Sequence, residues 1–418
     1  MLQRILRYSI YHPGVIVLMT LVAAAVGVFS LLRLPIDAVP DITNNQVQVN
    51  TLAPSLSPFE VEQQVTFLVE TSLAGIPGLQ YTRSLSRNGF SQVTAVFDDD
   101  VDVYFARNQV NERLGDVRES LPPDAEPSMG PIATGLGEIY MWTVGFDHPS
   151  GAGAPIRDGE AGWQSDGSYR TPEGERLRTE VERAAYLRTV QDWIIRPQLK
   201  SVRDVAGVDS IGGYVKQYQV RPDPQALVGY GLTFHDVIEA LERNNVSTGA
   251  GFVEHLGEAY VVRASGRIET LAQIDAIVIA TREGIPIHIH DVAEVGIGGE
   301  LRTGSASEDG AEAVVGTALM LIGANSRTVS SAVDAKMREV TKTLPPDVHA
   351  KTVLNRTKLV DATIATVQEN LAEGAILVIA VLFLLLGNFR AALLTALAIP
   401  FSMLMTATGM VQGRISGN

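Results

Sequence analysis

Apolar positions along this chain fall into two regimes. Three stretches run without a charged residue: Tyr8 to Leu32, Gly374 to Phe389 and Ala391 to Gly413. A run of about 20 apolar residues is long enough to cross a bilayer as a helix. Between the first and second stretches the pattern is mixed and periodic, as in a folded aqueous domain. The layout predicts three membrane helices, with one large domain held on a single side. Arg4 and Arg7 precede the first stretch and Arg390 follows the second, so the positive-inside rule puts the N-terminus in the cytoplasm and the domain in the periplasm. A cleaved signal is the alternative for the first stretch. Its apolar run is longer than a typical signal core, and Ser30-Leu31-Leu32-Arg33 lacks a small-x-small site, which favours a retained anchor. Pro400 predicts a kink in the third helix.

Inside the domain, Gln46 to Thr51 alternates as a half-buried strand. Ser57-Pro58-Phe59-Glu60 combines an N-cap, an N1 proline and a capping-box glutamate, and opens a helix reaching Gly75. A strand at Gln92 to Phe97 and a helix at Tyr104 to Leu121 complete a β-α-β-α order. A similar order recurs after Ala206-Gly207-Val208-Asp209, with a strand at Tyr214 to Val220 and a capping box at Thr233 and Asp236. Later units are a strand at Tyr260 to Ala264, a hairpin over Ile277 to His290 turning at Glu283-Gly284, and a strand at Ala313 to Ile322. A helix from Ser326 to Leu344 and a strand from Val348 to Leu354 follow. The fold class is therefore membrane α-helical plus α+β, with several split β-α-β units. From Leu359 a helical pattern runs into the second apolar stretch, predicting one long helix. His148 to Arg183 has no periodicity and many Gly, Pro and Ser residues, which predicts a mobile surface loop.

Composition narrows the chemistry. The formal charge is −14, which argues against a nucleic-acid partner and suits either a cationic cargo or plain solubility. There are no cysteines, so a metal site must use carboxylate, imidazole or thioether. No nucleophile–base pair stands out, and Gly212-Gly213 and Gly298-Gly299 lack the spacing and lysine of a phosphate loop. Catalysis, a bound cofactor and ATP as an energy source are not expected.

Several segments resemble resistance-nodulation-division transporters. They are Leu34-Pro35-Ile36-Asp37-Ala38-Val39-Pro40-Asp41-Ile42, Glu60-Val61-Glu62-Gln63-Gln64-Val65, Tyr104-Phe105-Ala106-Arg107, and Gly130 to Glu138. Gln191 to Leu199 and Gly387-Asn388-Phe389-Arg390 continue the likeness. The collinear set resembles the heavy-metal branch, of the cobalt–zinc–cadmium resistance type. That resemblance implies a proton-driven antiporter of the bacterial inner membrane, exporting Zn²⁺, Co²⁺ or Cd²⁺. It also implies a homotrimer that joins a periplasmic adaptor and an outer-membrane channel. Mapped onto this chain it implies a cytoplasmic N-terminus and first membrane helix (1–34), a first ferredoxin-like porter subdomain (35–135), and a second (136–200 and 284–350). A docking subdomain (201–283), a long helix into the second span (359–389) and a third span (391–413) complete the map. Family members are built from two such halves, and this chain resembles the N-terminal one. The expectation is that it depends on a C-terminal half for function, since the three spans carry no acid in their apolar interiors and an intramembrane carboxylate is the usual proton carrier.

Four residues are candidate metal ligands. Glu138 lies where glycines give way to an apolar strand, and the resemblance implies metal contact at that position; a solvated strand-edge carboxylate is the alternative. Asp192 reads as a residue at a helix start, where capping competes with metal contact. His288 and His290, two apart on a predicted strand, would point to one face and could bind zinc or nickel, against a solvent-facing alternative. Asp98-Asp99-Asp100 and Asp102 read as helix capping, Met129 and Met141 as packing, and Arg107 as a structural ion-pair former. Two other functions remain open on the residues alone: a drug-exporting relative, disfavoured by 6% aromatic content, and a non-transporting, membrane-tethered binding or assembly module.

Overall fold

The computed structural model describes residues 9–33, 43–246, 248–255, 257–264, 266–300, 302, 304–386 and 389–413. The segment 34–42, Arg4, Arg7, Gly387-Asn388 and Arg414 lie outside the described residues. Helix α1 spans Pro13–Arg33 and strand β1 spans Gln46–Leu52. Helix α2 is one run of three pieces, Pro58–Val61, a π-turn Glu62–Thr66, and Phe67–Leu73. The expected capping box is present: the Glu60 backbone N–H donates to Ser57 Oγ, and the Ser57 backbone N–H donates to Glu60 Oε2 at 2.9 Å. Strands β2 (Leu79–Arg87) and β3 (Phe90–Phe97), helix α3 (Val103–Val117) and strand β4 (Glu126–Met129) complete the unit. Asp102 caps α3, accepting from the N–H groups of Tyr104 and Phe105 at 2.9 Å each.

The antiparallel sheet order is β2-β3-β1-β4. A β-α-β-β-α-β chain with this order is the split β-α-β fold. Alternation in β1 sends Val47, Val49 and Thr51 under the helices, and α3 answers with Ala106, Val110, Leu114 and Val117 on one buried stripe.

The same plan recurs. Strand β5 (Glu138–Phe146) leads through short strands β6 (Gly162–Trp163), β7 (Tyr169–Arg170) and β8 (Arg176–Leu177) to helix α4. That helix is also continuous through a π-turn: Glu180–Thr189, Val190–Ile195, Arg196–Lys200. Strand β9 (Val205–Ile211) follows. Between β9 and the rest of its sheet the chain makes a separate lobe. This lobe holds β10 (Lys216–Pro222), α5 (Pro224–Tyr230), α6 (Phe234–Asn244), and the hairpin β11 (Thr248–His255) and β12 (Glu258–Ala264). It continues with α7 (Leu271–Asp275), β13 (Val278–Arg282), β14 (Ile285–His288), α8 (Ile289–Val292) and β15 (Ala293–Gly299). The chain then returns through β16 (Ala306–Glu308), β17 (Ala311–Met320), α9 (Ser326–Thr341) and β18 (Val348–Asn355). Strand order β9-β17-β5-β18 repeats that of the first sheet, with β16 hairpinned on β17.

Strand pairing places the insertion differently from the expected 201–283. β9 is hydrogen-bonded to β17 within the second sheet, whereas β14 and β15 pair with β13 and β10 inside the lobe. The neck is shaped by Gly212 and Gly213, both left-handed (φ +84° and +64°). A Cβ there would meet backbone oxygens of Ala313 and Ala184 at 2.6 and 2.8 Å, so only glycine fits.

His148 to Arg183 is a folded element, not a mobile loop. Its three two-residue strands pair in the order β6-β7-β8. Trp163 and Tyr169 are fully buried, with ring centroids 5.6 Å apart and Phe146 stacked edge-on against Tyr169 at 4.9 Å. The Trp163 indole N–H donates to Asp347 at 2.7 Å, and the Tyr169 hydroxyl to the Pro346 carbonyl at 2.7 Å. Buried Gln164 fastens the turn by donating to the carbonyls of Arg157, Glu160 and Gly162, each at 2.9 Å. Such strands are too short to show a period.

Beyond β18, helix α10 (Arg356–Leu386) is unbroken, and α11 (Phe389–Gln412) contains Pro400. Among the described residues one helix segment, Pro13–Leu31, meets the length and hydropathy of a membrane span, at mean hydropathy 2.5. Shorter apolar stretches, Ala372–Leu385 and Leu397–Gln412, lie in α10 and α11. α11 packs on both α1 and α10. At the α1 contact Gly27 is pressed so close that a Cβ would stand 2.5 Å from Leu404 Cβ.

Candidate functional site

Glu138 opens β5 of the second sheet, directly after the connector that joins the two sheets. The connector before it is tied to both: the Gly130 N–H donates to the Gln48 carbonyl on the first sheet, at 2.8 Å. The Ile322 N–H, just past β17 of the second sheet, donates to the Ile132 carbonyl at 3.1 Å. Arg107 Nη1 donates to the Gly130 carbonyl at 2.8 Å. Arg107 therefore braces the connector through a backbone carbonyl, and among the described residues it forms no ion pair, contrary to expectation. Arg356, the first residue of α10, reaches the Leu136 carbonyl at 3.4 Å. Glu138 itself opens β5 beside a bulge, where Ala318 pairs with Tyr140 and Leu319 with Glu138. A bulge re-aims side chains locally. The carboxylate is exposed, and among the described residues no hydrogen bond or ion pair engages it.

Asp192 is not at a helix start. It lies in the π-turn in the middle of α4, with a side chain only 19% exposed. Its Oδ2 accepts from Arg188 Nε at 2.6 Å, while Oδ1 faces Arg196 Nη1 at 3.4 Å and accepts from the Ser210 hydroxyl at 2.7 Å. Both oxygens are thus committed within the fold. The same arginines reach on to β9 and the neck just after it, Arg196 to the Val208 carbonyl (2.7 Å) and Arg188 to the Gly212 carbonyl (2.9 Å). Next door, fully buried Gln191 accepts from the Trp142 indole at 2.8 Å and donates to Ser210 Oγ at 3.2 Å. Together these contacts clasp α4 onto β5 and β9. Sequence reasoning named Asp192 but missed Gln191 and Ser210, whose roles depend on a tertiary contact.

The structure brings His288 and His290 together, though not as strand neighbours. β14 ends at His288, and His290 belongs to the short helix α8. Their rings stack at 5.0 Å with 13° between planes, and Asp291 joins them, with one ligand atom from each residue inside 4.8 Å. Among the described residues this is the group of three with metal-ligand spacing. Of the aspartates before α3, Asp102 caps and Asp98 accepts from Gln80 at 2.7 Å. Met129 packs against the first core.

A cleft of about 630 Å³ lies at the far end of β5 from Glu138. A nine-residue strand spans roughly 27 Å, so the two features are well separated. Asp147, Glu308, Asp309, Glu312, His349 and Lys351 line this cleft. His349 is held at both nitrogens, 2.9 Å from Asp147 and 3.8 Å from Glu308. Hydrogen bonds from the Lys351 ammonium and the Thr143 hydroxyl hold the Glu308 carboxyl below the usual range. Nothing in the sequence signals this grouping, because its members come from three distant segments.

Two split β-α-β units, a lobe inserted at the neck of the second unit, and one apolar helix of membrane-spanning length define a porter-like α+β architecture. The chain belongs to the AcrB/AcrD/AcrF family, whose sequence profile matches residues 5–418. Within it the chain falls in the heavy-metal branch, matching the N-terminal portion of longer proteins. It is 54% identical over all 418 residues to the nickel and cobalt resistance protein CnrA of Cupriavidus metallidurans, covering 39% of that protein. It is 50% identical over 418 residues to the cobalt-zinc-cadmium resistance protein CzcA of the same organism, covering 37% of it. A crystal structure of a heavy metal efflux pump superposes with a TM-score of 0.82 at 31% identity, over 98% of this chain and 38% of that one. The chain therefore spans less than half the length of these relatives.

Proposed function

We propose that this chain is the porter-bearing part of a proton-coupled exporter that moves Ni²⁺ and Co²⁺, and with them Zn²⁺ or Cd²⁺, across the bacterial envelope. The observation that carries this reading is unbroken similarity over all 418 residues to a nickel and cobalt resistance protein, at 54% identity, with a nickel-cobalt-cadmium resistance protein at 53%. It adds nickel to the expected Zn²⁺, Co²⁺ and Cd²⁺. The donor chemistry agrees: the chain has no thiol, and oxygen and nitrogen ligands suit borderline divalent cations.

In this reading Glu138 is the cargo contact. Its exposed carboxylate, free of partners among the described residues, stands beside the connector of the two porter units, and any further ligands come from elsewhere in the assembled pump. Asp192 is a clasp residue, since its oxygens are already engaged. The first porter unit covers about 43–135 and the second about 136–211 plus 305–355, with the docking lobe at about 212–304. α1, α10 and α11 cross the inner membrane, the N-terminus is cytoplasmic, and the porter and lobe stand in the periplasm. Exposed Leu18 on α1, Ile376 and Leu384 on α10 and Leu397 on α11 favour lipid around all three helices, and a 31-residue helix is about 46 Å long, enough to span and still reach the porter. The working unit is a trimer joined to a periplasmic adaptor and an outer-membrane channel. The three spans carry no acid in their apolar interiors, so proton coupling uses acids elsewhere in the assembled pump.

A chimera tests this. Residues 1–418 replace the matching segment of the Cupriavidus nickel and cobalt resistance protein in a strain lacking it. Restored tolerance to nickel and cobalt, but not to drugs, is expected. A chimera that reaches the membrane and confers no metal tolerance refutes the proposal.

A further inference from the structure

The inserted lobe carries a group of side chains that the cargo route does not use. Over Ile287–Val292 the chain alternates between core and surface. Ile287, Ile289 and Val292 are buried, while His288, His290 and Asp291 face outward. The buried members anchor the backbone: the Ile289 N–H also donates to the Ile277 carbonyl at 2.9 Å. The outward side chains are therefore presented from a fixed turn.

Each is further oriented. His290 Nδ1 lies 2.9 Å from the carbonyl oxygen of Asp275. A carbonyl can only accept, so Nδ1 carries the proton, and in the neutral ring Nε2 keeps its lone pair. That lone pair faces Asp291 Oδ1 at 3.4 Å. Fixing a ligand imidazole through its other nitrogen is the usual arrangement around protein-bound metals. Asp291 is steadied by the His288 backbone N–H, which donates to Oδ2 at 2.8 Å. His288 Nδ1 stands 3.7 Å from the same oxygen, with its ring stacked on that of His290. One ligand atom from each of the three residues already lies within 4.8 Å of the others. Tetrahedral ligands at 2.0–2.1 Å from a metal are ~3.3 Å apart, so small rotations of these half-exposed side chains would close the set.

We propose that His288, His290 and Asp291 form a second cation site on the inserted lobe, separate from Glu138, taking one borderline divalent cation. Two imidazoles and a carboxylate suit Ni²⁺, Co²⁺, Zn²⁺ or Cu²⁺ over Ca²⁺ or Mg²⁺. Water completes the coordination, and the bound ion ties the end of β14 to α8.

The test uses the full 418-residue chain in detergent micelles, with no polyhistidine tag. Equilibrium dialysis against Ni²⁺ compares wild type, His288→Ala, His290→Ala and Glu138→Gln, each checked for an unchanged melting temperature. The expected result is one Ni²⁺ equivalent weakened at least tenfold in either histidine variant and retained in Glu138→Gln. Histidine ¹⁵N NMR with Zn²⁺ as probe should show His290 protonated at Nδ1 before addition, and its Nε2 resonance shifting on addition. Unchanged Ni²⁺ binding in both histidine variants overturns the proposal, as does an Nε2 proton on His290 in the metal-free protein.

Discussion

The indole N–H of Trp142 donates to the side-chain oxygen of Gln191 at 2.8 Å, with both residues fully buried. This bond joins the central strand of the second sheet to the π-turn of α4. Gln191 also donates to Ser210, and Ser210 in turn to Asp192. A Gln191→Leu variant keeps the volume but orphans the indole N–H. Leaving a buried donor unpaired costs about 1–3 kcal/mol, so the melting temperature in detergent should fall clearly. An unchanged midpoint would show that the network contributes nothing to stability.

Asp192→Asn separates the two roles offered for this residue. The amide can still accept from Ser210, but Arg188 and Arg196 lose their counter-charge in a site 19% exposed. Partial exposure moderates the loss to about 1–3 kcal/mol, below that for a fully buried pair. Because both oxygens are committed in the fold, Ni²⁺ stoichiometry should not change. Loss of a metal equivalent with stability intact would return Asp192 to the ligand set.

Two glycines should respond in opposite directions. A Cβ at Gly316 would lie 2.2 Å from the Trp142 ring, so Gly316→Ala overpacks the core and should cost ~1–3 kcal/mol or more. Gly115 lies exposed inside α3 with nothing within 4 Å of the point where a methyl would stand, and Gly115→Ala should stabilise by roughly 0.5–1 kcal/mol. Thermal melts of the two variants, read side by side, check the packing description.

Alkaline pH should loosen the second porter unit. Burial, reinforced by Asp334, pushes the Tyr140 hydroxyl up to about 12, while burial raises Tyr169 and Tyr186 further. A raised pKa means the folded state holds its proton more tightly than the unfolded chain does. The stabilising contribution is therefore complete below the ordinary tyrosine value of 10.0 and is lost as pH climbs from there through about 12. Tyrosinate absorbance should show these three groups ionising only as the fold opens. Ionisation without unfolding would contradict their burial.

Periodic elements of this fold were legible because local pattern and tertiary role agree. The alternation of Gln46–Leu52, the Ser57 and Thr233 capping boxes and the Glu283-Gly284 turn all stand where the residues put them, the last with φ of +50° and +82°. Exposed β2 escaped notice because one face is open and its polar residues do not alternate cleanly. The β6–β8 element escaped because its order comes from Trp163, Tyr169 and Gln164 meeting distant partners. Among the candidate ligands, Glu138 was singled out through its motif and the histidine pair through its spacing. Asp291 joined the pair only when the strand ended early, and the Asp147–Glu308–His349 cleft was invisible in one dimension.

The proposed role of Glu138, contact with a divalent cargo beside the connector of the two porter units, rests on its exposed, unengaged carboxylate. The direct test is proton-driven ⁶³Ni²⁺ accumulation in everted membrane vesicles carrying the chimera, with and without Glu138→Gln. Accumulation by the unsubstituted chimera, reduced at least tenfold by Glu138→Gln at equal protein level, is the expected result. Glu138→Gln vesicles that accumulate nickel at the unsubstituted rate would contradict it.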